Sequence, residues 1–300
     1  MLWKYSHSRA IMMYKYENNG IIMKKTKVLS IILASIVLVL IFASLVACDK
    51  KQDGTPAEPY VEIIDDDDAL VFKPMNRDVK YGLLFYVGTS ISPQKYSYLG
   101  NALAKEGYLV YIPKTRSDMP FQYFEEKELA FEKYPEVQFF IGGHSNQGAD
   151  AALRRISETE RKELGAIFFS PITVGHYQVF DKDGQPVKDE KGFEVYEDYT
   201  LADAADLPTL YISGNEDAVC TQAQTDEAKS RMPQNCVYKT IEHGNHTAFA
   251  EINENSDLPI ALQFFPNFKT DVSNTTIAQK GEQRTLTVYY VLQFIKDNAK

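Results

Sequence analysis

The sequence predicts an α/β domain built on a mostly parallel central sheet with helices on both faces. Short apolar runs alternate with segments of helical spacing from residue 60 to residue 300, the order that produces strand–helix–strand units. The runs are apolar throughout rather than at every second position, as in strands buried on both faces. With 44% apolar and 12% aromatic residues, the 300-residue chain can bury one sizeable core, so a single domain is expected.

Taken in order, "ALVFKP" (69–74) and "YGLLFYVG" (81–88) are apolar, β-rich runs. "YSYLGNALAKEG" (96–107) has helical spacing and a closing glycine, and "YLVYIPK" (108–114) is a strand. "YFEEKELAFEKYP" (123–135) reads as a helix, "VQFFIGG" (137–143) as a strand, "ADAALRRISETER" (149–161) as a helix and "LGAIFFSPI" (164–172) as a strand. After an interruption come the strand "LPTLYISG" (207–214), the helix "QAQTDEAKSRM" (222–232), the strand "CVYKTIE" (236–242) and a last helix, "GEQRTLTVYYVLQFIKDN" (281–298). In sheets of this kind ligands sit at the carboxyl ends of the strands, so the residues that follow each strand are the ones to inspect.

Two segments break the rhythm. Residues 174–200 carry Asp183-Gly184 between alternating apolar and polar residues, a hairpin signal, and are expected to form a small insertion over the strand ends, a possible lid. Asp181-x-Asp183-Gly184 resembles the start of a calcium loop but lacks its later ligands and closing glutamate, and Asp65 to Asp68 reads as a solvated acidic loop. No C-x-x-C pair is present, so zinc is not expected, and no cofactor is called for. Residues 250–280 are irregular, with Phe264, Phe265 and Phe268 placed either to line a pocket or to pack.

The N-terminal 48 residues read as a signal peptide. Lys24, Lys25 and Lys27 precede an uncharged run from Val28 to Ala47, which ends in Leu45-Val46-Ala47-Cys48 and resembles a bacterial lipobox. On that reading Cys48 is lipidated, residues 49–59 form a flexible tether, residues 60–300 form the domain, and Met23 is the better start. The protein is then held on the extracytoplasmic face of the cell membrane by its lipid. An uncleaved membrane helix is the other reading, and it places the domain on the same side. Residues 49–300 carry 26 of the 32 basic and 40 of the 41 acidic residues, a net charge of −14. A body so acidic repels nucleic acid and anionic lipid, which leaves neutral, cationic or apolar small molecules as partners. Cys220 and Cys236 flank the helix at 222–232, about 16 Å long, and are expected to be free, mostly buried thiols.

The chemistry points to Ser145. It follows the strand "VQFFIGG" at once and opens a helix, the strand–turn–helix setting of a nucleophile elbow. Gly143 permits close approach of helix to strand, and the Asn146 N–H is placed to stabilise an oxyanion. A serine needs a base, and the base an orienting acid. His243 and His246 both follow the strand at 236–242, whereas His144 sits in the elbow itself and His176 in the insertion. Glu216 and Asp217 follow the strand at 207–214, giving the chain order serine, acid, histidine.

Together, "GLLFYVGT", "YSYLGNALAKEGYLVYIPK", "YPEVQFFIGGHSNQGADAAL", "LPTLYISGNEDAVC" and "IEHGNHTAF" resemble the alpha/beta-hydrolase fold, and within it a short bacterial group often labelled type five, over about residues 80–298. By matching position, the resemblance implies Ser145 as nucleophile, Asp217 as acid, His246 as base and Thr89 as the second oxyanion donor, with His243 a neighbour of the pocket. The implied activity is that of a serine hydrolase acting on an uncharged ester through an acyl-enzyme. Thr89 and Gln147 both depart from the family's glycines. Gln147 is the sharper departure, because a side chain there must point away from the strand or press upon it. A non-catalytic surface-binding lipoprotein on the same fold is the alternative that Gln147 raises.

Overall fold

A computed structural model of the chain describes residues 60–75, 77–121, 129–158, 163–172, 176–179, 181 and 185–299. The leader, Cys48, the tether and the Asp183-Gly184 turn lie outside these residues. The strands are β1 (Val61–Asp65), β2 (Ala69–Pro74), β3 (Tyr81–Tyr86), β4 (Leu109–Pro113), β5 (Gln138–His144), β6 (Ala166–Phe169), β7 (His176–Gln178), β8 (Tyr196–Asp198), β9 (Thr209–Gly214) and β10 (Val237–Ile241). The α-helices are α1 (Ser97–Lys105), α2 (Leu129–Lys133), α3 (Ser145–Glu158), α4 (Gln222–Ser230), α5 (Pro266–Asn274) and α6 (Ile277–Asn298).

Eight strands form one sheet in the order β1-β2-β4-β3-β5-β6-β9-β10, in which every pair from β4 to β10 is parallel. Within each central strand successive residues turn to opposite faces. Leu84, Tyr111, Ile141, Phe168 and Tyr211 pack with α2, α3 and α4, while Leu83, Val110, Phe140, Ile167 and Leu210 pack with α1, α5 and α6. Both faces are therefore apolar and covered, which is why the runs read as continuous.

Four features depart from the sequence expectation. The acidic loop is the turn of a hairpin: β1 pairs antiparallel with β2, and β2 pairs antiparallel with β4. Asp66 Oδ1 accepts the amides of Asp68 and Ala69, and lysines neutralise the turn, with Lys133 at 2.6 Å from Asp68 and Lys114 at 2.5 Å from Asp65. The last helix begins four residues earlier than Gly281. Thr276 caps it, its hydroxyl accepting from Gln279 N–H while the Gln279 side chain accepts from Thr276 N–H, a capping box that outweighs the glycine. Residues 266–274 form the helix α5, opened by Pro266 at a position where no amide is needed. In the insertion β7 and β8 pair antiparallel, Val187 bonds to both Val179 and Val195, and a turn lies at 189–193. Asp181 Oδ1 accepts Gln185 N–H.

Cys236 is buried and Cys220 half-buried, both are free, and α4 lies between them. Burial pushes the two thiols up, to about 11 for Cys220 and about 12 for Cys236, which keeps them protonated.

Candidate active site

The turn from β5 into α3 is built by exclusion of side chains. A Cβ on Gly143 would collide with the Gly148 carbonyl, and one on Gly148 would collide with the Tyr86 carbonyl. The first turn of α3 can therefore lie directly on the ends of β5 and β3. Ser145 at the apex has φ +60°, left-handed backbone that a non-glycine residue adopts only where its surroundings impose it. Its hydroxyl is projected above the strand ends and is almost fully buried.

Two loops meet it from the neighbouring strands. After β10 the chain turns through Gly244 and Asn245 to His246, whose Nε2 lies 2.7 Å from Ser145 Oγ. After β9, Asp217 Oδ2 lies 2.9 Å from His246 Nδ1, and its Oδ1 accepts the amides of Val219 and Cys220. Serine, imidazole and carboxylate form one line of hydrogen bonds. Glu216, the other acid considered after β9, is instead bound to His243 Nδ1 at 2.7 Å. His243 is thereby held at the surface, half exposed.

The sheet order, the strand–serine–helix elbow and the serine–acid–histidine chain order decide the architecture. The fold is that of the alpha/beta hydrolases. Residues 82–182, from β3 through the elbow into the insertion, match the sequence profile of the alpha/beta hydrolase family. Among solved structures the chain is similar to a predicted CIB-like hydrolase from Thermoplasma acidophilum, at 16% identity with a TM-score of 0.45, covering 77% of this chain and 97% of that one. It is similar also to the esterase domain of a Rhodothermus marinus protein, at 13% identity and TM-score 0.45 with 62% and 90% covered. A soluble variant of monoglyceride lipase from Saccharomyces cerevisiae gives 13% identity and TM-score 0.42 with 76% and 100% covered. No curated protein sequence matches the chain.

The electrostatics of the site separate its two buried histidines. For His246, burial alone would disfavour the proton. The Asp217 carboxylate, by charge and by hydrogen bond, outweighs burial and holds the imidazole above the ordinary histidine value. Burial also acts to raise Asp217, and His246 together with the two amides prevails and lowers it. His144 is packed against His246, ring centres 4.8 Å apart, and burial followed by the His246 charge pushes it well below 6.5. The two are thus pushed in opposite directions, His246 toward the protonated form and His144 toward the neutral one.

His144 has another connection. Its Nδ1 lies 2.8 Å from Tyr96 Oη, and that hydroxyl accepts Gly88 N–H at 3.0 Å. Both side chains are fully buried, so the loop after β3 is tied through Tyr96 to the residue before the elbow serine. The turn closes with Ile91 N–H on the Gly88 carbonyl, and among the described residues no hydrogen bond is made by the Thr89 amide. Asn146 lies in the first turn of α3, where backbone amides have no carbonyl within the helix. Its side chain bonds to Asp150 and to the Ile172 carbonyl, which holds the helix start to the loop after β6.

Gln147 does not press on the strand. Its Oε1 accepts Phe121 N–H at 3.1 Å, so the side chain leaves the elbow and pins the segment that follows β4.

Sequence reasoning missed Asp271 on α5. This carboxylate is wholly buried and accepts four hydrogen bonds: Ala218 N–H and His246 N–H on Oδ1, at 2.9 and 3.1 Å, and Thr247 N–H and Oγ1–H on Oδ2, at 2.8 and 2.7 Å. One side chain thus clamps the acid loop to the histidine loop without touching the imidazole. Asn245 continues the network, giving its amide hydrogens to the Asp271 carbonyl and to Thr275 Oγ1, while Gln283 on α6 brackets the Asn245 backbone. No signal in the sequence pointed to this, because Asp271 stands among polar residues in "NFKTDVSN" (267–274) and looks like any surface carboxylate.

Proposed function

We propose that the chain is a serine hydrolase cleaving an uncharged carboxylic ester, with Ser145 as nucleophile, His246 as base and Asp217 as the acid that orients it. The observation that carries this reading is the unbroken line from Ser145 Oγ through His246 to Asp217, at 2.7 and 2.9 Å. His246 Nε2 removes the hydroxyl proton as Oγ attacks the ester carbonyl carbon. The resulting oxyanion is met by the amides of Thr89 and Asn146. The tetrahedral centre collapses, the alkoxide leaves with the proton that His246 returns, and the acyl group stays on Ser145. A water, deprotonated by the same histidine, attacks the acyl-enzyme and releases the acid. An uncharged acyl group suits the aromatic surroundings, Phe268 edge-on to His246 and Phe249 beside His144, and the acidic body.

Motif by motif the chain resembles the type-five group named above, and the lipobox reading adds a lipid on Cys48 that holds the enzyme outside the cell membrane. The non-catalytic alternative draws no support from Gln147, whose side chain is bonded away from the elbow. A panel of p-nitrophenyl esters tests the proposal on wild type and Ser145→Ala. Turnover that persists in the variant, or none in folded wild type, defeats it. For the anchor, Cys48→Ser should release the protein from membranes or leave the leader uncleaved, and an unchanged mature mass and membrane fraction would defeat that part.

A further inference from the structure

From Leu258 to Phe268 the chain reads "LPIALQFFPNF", with no charged residue. Leu258 and Leu262 anchor this segment in the core, yet Ile260, Phe264 and Phe265 are 76%, 80% and 54% exposed. Large apolar side chains displayed together are unusual on a protein surface unless something covers them. The backbone is ready for an apolar setting too. The amides of Leu262, Gln263, Phe265 and Phe268 all bond to carbonyls within the segment, and the Gln263 side chain caps the Leu258 carbonyl, so burial strands few polar groups. The segment is also continuous with the site. The rings of Phe265 and Phe268 have centres 6.4 Å apart, and Phe268 meets the His246 ring nearly at right angles with centres 6.0 Å apart.

We infer that Ile260, Phe264 and Phe265 form a membrane-docking lip that inserts at the headgroup–acyl boundary of a zwitterionic bilayer, beside the mouth of the Ser145–His246 site. Three features select a bilayer over another occupant. The same chain carries a 20-residue uncharged run, Val28 to Ala47, ahead of the domain. Aromatic side chains favour the membrane interface. The acidic body excludes anionic lipid and leaves a neutral surface as the match. The consequence for substrate rests on the hydrolase reading: esters are delivered from the membrane with their acyl chains passing the lip and Phe268. Docking itself does not depend on that reading.

The test uses the full chain reconstituted in phosphatidylcholine vesicles. The one tryptophan, Trp3, is replaced by Phe, and Phe264→Trp supplies a probe on the lip. Its emission should shift to the blue and be quenched by lipids brominated on the acyl chain, whereas Tyr289→Trp on α6, which replaces a side chain 51% exposed, should emit as in water. Unquenched, water-like emission from the lip probe overturns the proposal. So does quenching that is absent while a concentration-dependent dimer forms, because a second copy then covers the lip. A second arm compares substrates. In the Phe264→Asp/Phe265→Asp variant, hydrolysis of a long-chain ester held in the vesicles should fall about 100-fold, roughly tenfold for each side chain kept out of the apolar phase. Hydrolysis of p-nitrophenyl acetate in solution should stay within about twofold, as for other surface changes. An equal fall on both substrates overturns the proposal. If wild type cleaves neither ester, the hydrolase reading has failed and the quenching arm still decides docking.

Discussion

Asp271→Asn tests whether the clamp on α5 governs the geometry of the site. The carboxylate accepts three backbone amides and one hydroxyl with no exposure to water. An asparagine has one accepting oxygen and one donating NH2. Its best orientation keeps the oxygen on Ala218 and His246 and turns the NH2 to Thr247, whose hydroxyl can rotate to accept but whose amide cannot. At least one buried donor is then stranded, at about 1–3 kcal/mol. For a domain of this size that corresponds to a melting temperature lower by roughly 2–12 °C. The histidine loop also loosens, and because misplacement by about 1 Å can cost 10²-fold in rate, kcat should drop by about 10- to 100-fold with KM little changed. Thermal unfolding followed by circular dichroism, together with steady-state hydrolysis of a p-nitrophenyl ester, reads both quantities. A melting temperature and a kcat both indistinguishable from wild type would refute the reasoning. A loss of kcat as large as that in Asp217→Asn would also refute it, by making Asp271 the triad acid.

Other expectations follow from the same contacts. The neutral form of His246 is the base, so the acidic limb of kcat/KM should lie above the ordinary value of 6.5, and Asp217→Asn should move that limb down while lowering kcat by about 10⁴-fold, as removal of a triad carboxylate does elsewhere; a limb that stays in place shows that Asp217 does not set it. For stability the two buried histidines act in opposite senses: His246, raised in the fold, adds stability that is full below pH 6.5 and is lost as pH rises through its folded value, whereas His144, depressed in the fold, costs stability as pH falls below 6.5. His144→Gln should therefore flatten the acid side of the stability profile, measured by urea unfolding at several pH values. Gln147→Gly loses one hydrogen bond and adds a flexible residue to a helix, together about 1.5–2.5 kcal/mol, and should lower the urea midpoint without abolishing turnover, since Gln147 touches neither Ser145 nor His246 in any described contact. Tyr96→Phe frees the Gly88 amide and should reduce kcat more than KM, because the loop it fixes carries Thr89.

Much of this was legible in the sequence because it is written in local terms. The sheet announced itself in runs such as "GLLFYVG" and "FFIGG", and the elbow in the placement of Ser145 between strand and helix. Position after β9 and β10, a rule of topology rather than of contact, narrowed the acid to Glu216 or Asp217 and the base to His243 or His246, and the family resemblance chose Asp217 and His246. What escaped was written in long-range contacts. Asp271 meets Ala218 across 53 residues and His246 across 25, Tyr96 meets His144 across 48, and Gln147 meets Phe121 across 26. No periodicity encodes such meetings. The β1–β2 hairpin was hidden by a different cause: four consecutive aspartates look like a solvated loop until the lysines on other elements are brought beside them.

The central claim is that Ser145 is a nucleophile activated by His246. A fluorophosphonate probe reacts with a serine only when base, nucleophile and oxyanion donors act together. Incubation of the folded protein with such a probe, followed by peptide mass analysis, should place a single phosphonyl group on Ser145, and His246→Ala should abolish it. Folded wild-type protein that takes up no probe, or carries it on another residue, would contradict the account.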